Sequence, residues 1–301
     1  MSENLSAVST GVTAGLFPGQ GSQTANLREE VERVAPELIE RCIELVGEDP
    51  FPRVQESTRF AQPAILCASI ASWGRLRAHV RPVAFAGHSL GELSALAAAG
   101  ALEPLTALEL AVHRGELMAS AAASAPDGML ALLGGTEEQA HRLAERNEVV
   151  LANDNAPGQI VLAGGLERLR VASLQARDQG MRSIFLDVAG AFHTPAMSDA
   201  VEPFRAALDR VELRAPAIPV ISSSTARPFR DVRAELAAAI VLPVRWRETM
   251  LALAALGADT FIDAGPGHVL ARLVARNLPD ARVLGPGDIP LSRTPEASGV
   301  A

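Results

Sequence analysis

A serine flanked closely by glycines is the first place to look for chemistry in this chain. Gly87-His88-Ser89-Leu90-Gly91 has the form GxSxG. An apolar run, Val83 to Gly87, precedes the serine, and an apolar stretch with helical spacing, Leu90 to Ala99, follows it. Strand, sharp turn and helix in that order hold a serine out on strained backbone. The small neighbours let substrate approach, and the helix N-terminus aims amide N–H groups at a developing oxyanion. The pentapeptide alone is weak, because a glycine-rich turn with a capping serine reads the same way; its flanks give it weight.

A serine hydroxyl needs a base. Of six histidines, His88 adjoins the serine, but neighbouring side chains on such a turn point apart. His79 closes a helix, His113 lies within one and His141 sits on a polar helix face. His193 lies in Gly190-Ala-Phe-His-Thr-Pro195, between a strand end and a helix, where catalytic groups are commonly placed. His268, after Gly265-Pro-Gly267, is the second candidate, with helix capping as its competing role.

The elements around these residues form an α/β pattern. A strand end at 15–18 leads into the turn Gly19-Gln20-Gly21-Ser22-Gln23. Helices are expected over 27–46 and 62–78, the second opened by Gln62-Pro63, and over 103–123. Between Asp127 and Val188 the rhythm becomes strand 128–133, helix 136–147, strands 149–153 and 159–163, helix 166–179 and strand 183–188. That βαββαβ order is ferredoxin-like. The expected architecture is therefore a hydrolase-like parallel-sheet domain over 1–126 and 190–285, with a ferredoxin-like small domain inserted at 127–189. In the resumed α/β part, helices are expected at 203–208, 231–241 and 269–277, and strands at 218–222 and 260–263. Residues 286–301 read as a loose tail.

With 35 acidic against 27 basic residues, the net charge is −8 and no basic block stands out, which argues against nucleic acid as a partner. Every basic residue is arginine, and Arg182, Arg245, Arg247 and Arg276 could form a local patch for an acidic partner. The two cysteines, Cys42 and Cys67, lie in apolar helical stretches outside any CxxC pair and read as buried thiols. No apolar run has the ~18 residues of a membrane span, and Met1 to Ala14 carry no basic leader region. The expectation is a cytoplasmic enzyme with no membrane association.

Several segments together resemble one family, the malonyl-CoA:acyl-carrier-protein transacylases and the acyltransferase domains of polyketide synthases. They are Phe17-Pro-Gly-Gln-Gly-Ser-Gln23, Gln62-Pro-Ala64, Gly87-His-Ser-Leu-Gly-Glu92, Arg114-Gly115, Asn155-Ala-Pro-Gly-Gln159, Ala191-Phe-His-Thr-Pro-Ala-Met197, Pro243-Val-Arg-Trp246 and Gly265-Pro-Gly-His268. They occur in the family's order and span about residues 15–275. The resemblance implies Ser89 as acyl acceptor, His193 as base, the backbone N–H groups of Gln20 and Leu90 as oxyanion donors, and Gln62 lining the acyl pocket. It implies Arg114 as the grip on a malonyl carboxylate, a role that the planar guanidinium fork suits. Arg114 shares a helix stripe with Leu110 and Met118, and the competing reading is an internal salt bridge, for instance with Glu92. Phe192 resembles the malonyl-selecting form, since a ring there would crowd a branch on the malonyl α-carbon.

One departure concerns the group that orients the histidine. Ala237-Ala-Ala-Ile-Val-Leu242 is wholly apolar where the family usually carries a polar residue. A backbone carbonyl near Ala239 is left to serve, with Asp187 as a weak carboxylate candidate. The reaction implied is ping-pong transfer from malonyl-CoA to the phosphopantetheine thiol of a holo acyl carrier protein. A CoA thioester is its substrate, and no metal and no permanently bound cofactor take part. The alternatives are a transferase for another acyl unit of a polyketide-type pathway, an editing acyl-thioester hydrolase, and a non-catalytic carrier-docking protein.

Overall fold

The computed structural model describes residues 11–188 and 190–289. It opens with a wholly buried strand, β1 (Thr13–Phe17). The single helix expected over 27–46 is two: α1 (Leu27–Glu32) and α2 (Pro36–Val46). Pro36 takes the first position of α2, because its ring and missing N–H end any helix arriving from Glu32.

The next helix also departs from expectation. Helix α3 (Thr58–Leu76) begins at Thr58, capped by the Ser57 hydroxyl, which accepts the Arg59 N–H at 3.2 Å. Pro63 therefore lies inside the helix and leaves the Arg59 carbonyl without its usual donor.

Strand β2 (Ala84–Gly87) runs into α4 (Gly91–Ala98), and α5 (Pro104–Ala122) follows. Gly115 of α5 meets the first turn of α3. A Cβ there would lie 2.9 Å from the Thr58 carbonyl oxygen, so glycine sets how closely the two helices approach.

The inserted segment is β3 (Asp127–Leu133), α6 (Glu137–Arg146), β4 (Val150–Ala156), β5 (Gln159–Gly165), α7 (Leu166–Asp178) and β6 (Arg182–Phe185). Its four strands pair antiparallel in the order β4-β5-β3-β6, which is the ferredoxin-like arrangement. Thr136 and Gln139 close a capping box on α6. Strand β4 is longer than its composition suggests and carries Asn153 and Asn155 up to a tight turn at Pro157-Gly158.

The chain then returns through a 3₁₀ turn (Pro195–Ala200) to α8 (Val201–Leu208), β7 (Val220–Ile221), α9 (Val232–Ala238), α10 (Trp246–Ala255), β8 (Thr260–Asp263), α11 (Val269–Asn277) and β9 (Arg282–Leu284). Helix α10 and edge strand β9 have no counterpart in the expected pattern. Of the expected loose tail, Ile289 is buried, and 290–301 lie outside the described residues.

The large sheet has the order β7-β2-β1-β8-β9, all parallel. Alternate residues face opposite cores: Phe17, Phe85 and Ile262 join α3, α4 and α5, while Leu16, Ala86 and Phe261 join Trp246 and α11. The C-terminal strand ends then gather Pro18–Gln20, His88-Ser89, Ser222-Ser223 and 264–267 along one edge, where α/β folds place their sites. Val244, just before α10, ties the large domain to β4 of the inserted sheet, donating to the Ala152 carbonyl at 2.9 Å and accepting from Asp154 N–H at 2.8 Å.

Asp263, at the end of β8, is buried and caps α11 by accepting the Ala271 N–H at 3.1 Å; its other oxygen has no partner among the described residues. Burial pushes its carboxyl up to about 7. A raised carboxyl stabilises the fold at low pH, and that contribution fades as pH climbs through the folded value. Asp263→Asn stays neutral, so relative to the parent it should gain about 2 kcal/mol of stability between pH 5 and pH 8. Urea midpoints at the two pH values test this, and an equal difference at both would mean that Asp263 ionises normally.

Candidate active site

Ser89 sits where β2 ends and α4 begins, with φ 54°, a left-handed conformation that non-glycine residues seldom hold. The crowding around it explains the two glycines. A Cβ on Gly87 would fall 1.9 Å from the Gly91 carbonyl carbon, and one on Gly91 would fall 2.0 Å from the Phe17 carbonyl oxygen. A Cβ on Gly19 would lie 2.6 Å from the His88 carbonyl oxygen. The loop after β1 is thus pressed against the serine turn, and this brings Gln20 beside Leu90. Neither the Gln20 nor the Leu90 N–H donates to an acceptor among the described residues, and both residues line the cleft.

His193, also at positive φ (61°), is brought to Ser89 across 104 positions of sequence. Its Nε2 lies 2.7 Å from Ser89 Oγ. Its Nδ1–H donates to the Ala239 carbonyl at 2.9 Å. That bond fixes the tautomer: Nε2 keeps its lone pair and turns it toward the Ser89 hydroxyl. Ala239 can serve because α9 ends at Ala238, releasing the carbonyls that follow from the helix. Asp187 lines the cleft as an exposed residue and makes no hydrogen bond to His193. His268 is exposed at the N-cap of α11 and does not line the cleft. Burial first, then the nearby Arg114 charge, depress the His193 imidazole to about 3, so it is neutral at working pH.

Arg114, on α5, is 5% exposed. Its Nη1 donates to Gln62 Oε1 at 2.7 Å and its Nη2 to Ser89 Oγ at 3.2 Å. Gln62 is itself held, its amide donating to Thr58 Oγ1 at 2.8 Å and to Met118 Sδ at 3.4 Å. The competing internal salt bridge of Arg114 is not formed. Among the described residues no carboxylate lies within 4.0 Å of it, and Glu92 instead accepts the Ser223 N–H at 2.6 Å and Oγ–H at 3.1 Å. Burial lowers Arg114 to about 10, with Glu92 opposing, and raises Glu92 to about 7. The guanidinium stays charged at neutral pH, with donors left over beside the nucleophile.

Sequence reasoning gives His88 only a structural place. Its Nε2–H donates to Asn155 Oδ1 at 2.8 Å, its ring packs on Trp246 with centroids 5.2 Å apart, and burial lowers its pKa. His88 thus ties the serine turn to β4 of the inserted sheet. Asn155 is held from behind as well, its carbonyl accepting from Asn277 of α11 at 2.9 Å. The one sequence signal for the pairing of Asn155 with His88 is that both stand in family-like segments.

The cleft has a volume of about 370 Å³ and runs between the two sheets. Gln20, Ser89, Arg114, Phe192 and His193 come from the large-sheet side and Met129, Asn155 and Val161 from the inserted sheet. Phe192 lines it just before the base. Of the arginines considered for an acidic partner, Arg245 pairs with Glu248, and Arg247 with Asp154 and Glu137. Arg276 bonds Gln159 and the Pro157 carbonyl at the cleft rim, and Arg182 is exposed on β6. Cys42 and Cys67 are buried free thiols. Among the described residues no group of three or more His, Cys, Asp or Glu could hold a metal, and no helix is long and apolar enough to cross a membrane.

A serine on a strained turn, a neutral imidazole, two idle amides and a buried cation are groups of the kind that acyl transfer needs. Comparison with known proteins agrees. Residues 16–285 match the family described as the acyl transferase domain. A malonyl CoA-acyl carrier protein transacylase of Bacillus subtilis (strain 168) is 36% identical over 283 residues, covering 87% of this chain and 89% of the relative. The crystal structure of malonyl-CoA:acyl carrier protein transacylase (FabD) from Xanthomonas oryzae pv. oryzae is 32% identical with a TM-score of 0.86, covering 93% of this chain and 97% of that one. A type II PKS malonyl-transacylase, solved in complex with its acyl-carrier protein, is 28% identical with a TM-score of 0.85, covering 91% and 95%. The extent of the family match and these identities place the chain in the acyl transferase family, to which it belongs together with the malonyl CoA-acyl carrier protein transacylases.

Proposed function

We propose that this enzyme moves a malonyl unit from CoA to the phosphopantetheine thiol of an acyl carrier protein through an ester on Ser89. One observation carries the choice of acyl group: a buried guanidinium, with no carboxylate partner among the described residues, 3.2 Å from the nucleophilic oxygen. A free carboxylate one methylene beyond the thioester carbonyl would fall within its reach.

His193 Nε2 takes the Ser89 proton as Oγ attacks the thioester carbon. The oxyanion is held by the N–H groups of Gln20 and Leu90. As the tetrahedral intermediate collapses, the C–S bond breaks and the CoA sulfur leaves with the proton from His193. The carrier thiol then gives its proton to His193, attacks the ester carbon and takes the malonyl group, and Ser89 recovers its proton. Every group in this scheme comes from the chain, so it calls for no resident metal or redox cofactor. Phe192 lines the cleft just before the base, and we assign its ring the role of crowding a branched acyl group. We place the reaction in the cytoplasm, where CoA thioesters meet free carrier thiols.

Intact-mass spectrometry after brief mixing with malonyl-CoA or acetyl-CoA, with and without holo carrier protein, tests the scheme. The expected result is a malonyl adduct absent from Ser89→Ala and discharged by the carrier. An adduct lost to water equally fast without the carrier would make the enzyme a hydrolase. Arg114→Ala should lower malonyl acylation (kcat/KM) by about 100-fold, the scale of an unpaired buried charge, while acetyl acylation changes much less. Equal losses for both donors would remove the carboxylate grip.

The base has its own pH signature. With its folded value depressed to about 3, His193 keeps its lone pair down through pH 5. Labelling of Ser89 by a fluorophosphonate should therefore hold most of its rate from pH 8 to pH 5, and His193→Ala should cost about 10²–10⁴-fold. A half-loss of labelling near pH 6.5 would show an ordinary imidazole instead.

A further inference from the structure

Two opposite charges are buried at this site without touching. Among the described residues Arg114 donates to neutral oxygens only, those of Gln62 and Ser89. Glu92, 1% exposed, stands on the first turn of α4 and donates its own N–H to the Ser89 carbonyl at 3.0 Å. Its carboxylate is held by the Ser223 N–H and hydroxyl, on the loop after β7, and no cation lies within 4.0 Å of it among the described residues. Glu92 is thus one helical turn from the residue that Arg114 contacts, and α4 packs on α5.

A buried guanidinium with no negative charge nearby is costly, and the usual remedy is a direct ion pair. A direct pair here would fill the fork that the substrate carboxylate needs. The other ionisable groups facing the pair, His88 and His193, are neutral because burial lowers both. Among the described residues Glu92 is the charge that balances Arg114, and the Ser223 donors hold it out of ion-pair distance.

We infer that Glu92 is a built-in counter-charge to Arg114, a positioning residue that stabilises the guanidinium in the empty site and sets how tightly it takes a dicarboxylic acyl unit. The inference rests on the acyl-transfer reading above. An entering carboxylate is drawn by Arg114 and repelled by Glu92, so the negative charge weakens capture and leaves the malonyl group easier to pass on.

The test uses the full chain at pH 8, measuring KM and kcat for Ser89 acylation by malonyl-CoA and by acetyl-CoA. In Glu92→Gln the malonyl KM should fall by about ten-fold, equivalent to ~1.4 kcal/mol, while the acetyl KM stays put. The parent enzyme decides the matter if Glu92→Gln does not fold: burial raises the Glu92 carboxyl to about 7, so the malonyl KM should be several-fold lower at pH 6, where that carboxyl is largely neutral, than at pH 8, while the acetyl KM stays put. A rise in malonyl KM, or equal shifts for both donors, would reduce Glu92 to a structural brace and overturn the inference. A parent enzyme that takes no malonyl group would instead remove the acyl-transfer reading beneath it.

Discussion

The site depends on one crossing of backbone. Where β1 ends, the Phe17 carbonyl lies so close to the first residue of α4 that only glycine fits at position 91. The same crowding demands glycine at 87 and at 19. Because three chain segments meet there without side chains between them, Ser89 is held at φ 54°, a conformation that costs of order 1 kcal/mol and persists only when its surroundings leave no alternative. The crossing also brings the Gln20 and Leu90 amides to one side of the serine. The proposed nucleophile and the two amides proposed as oxyanion donors therefore follow from one packing constraint, set by the parallel pairing of β1 with β2.

Around that crossing the fold arranges charge by burial more than by pairing. His193 is kept neutral, Arg114 charged but below its ordinary value, and Glu92 near the midpoint of its titration at neutral pH. Low dielectric strengthens each of these interactions and removes the water that would screen them. The arrangement stays solvent-poor because the inserted sheet closes over it, and His88 is the bolt: one hydrogen bond to Asn155 links the nucleophile turn to β4. A residue next to the proposed nucleophile thereby joins Val244 and Asn277 in holding the inserted sheet against the large domain.

Much of this is legible without coordinates. GxSxG between an apolar strand and an apolar helix, the βαββαβ rhythm, and Arg114 on an apolar stripe all follow from local pattern, and the structure brings Ser89, His193, Arg114 and Gln62 together as their segments imply. What escapes is non-local. Pro36 breaks a helix whose apolar spacing runs on through it, and Pro63 sits inside a helix it is expected to open, since the Ser57 cap lies outside the apolar repeat. The Arg114–Glu92 alternative fails because Ser223, 131 residues from Glu92, claims its carboxylate. The Ala239 carbonyl can be placed only roughly, because a backbone acceptor has no side-chain signature.

That carbonyl also bears on how the base works. A histidine held by a carboxylate gains a negative neighbour that stabilises imidazolium; one held by a neutral carbonyl gains orientation with far less charge stabilisation. Here burial first, and then the guanidinium beyond the serine, disfavour imidazolium, and the hydrogen bond to the Ala239 carbonyl opposes them without overcoming them. In the proposed scheme a base of that kind does not retain the proton, and gives it to the departing sulfur in one half-reaction and to Ser89 in the other. Two thiols of similar chemistry use the same cleft in turn, and a base that does not hold its proton serves both directions alike. A neutral acceptor behind His193 is then in keeping with a reversible exchange between thioesters, where neither half-reaction needs to be driven far downhill.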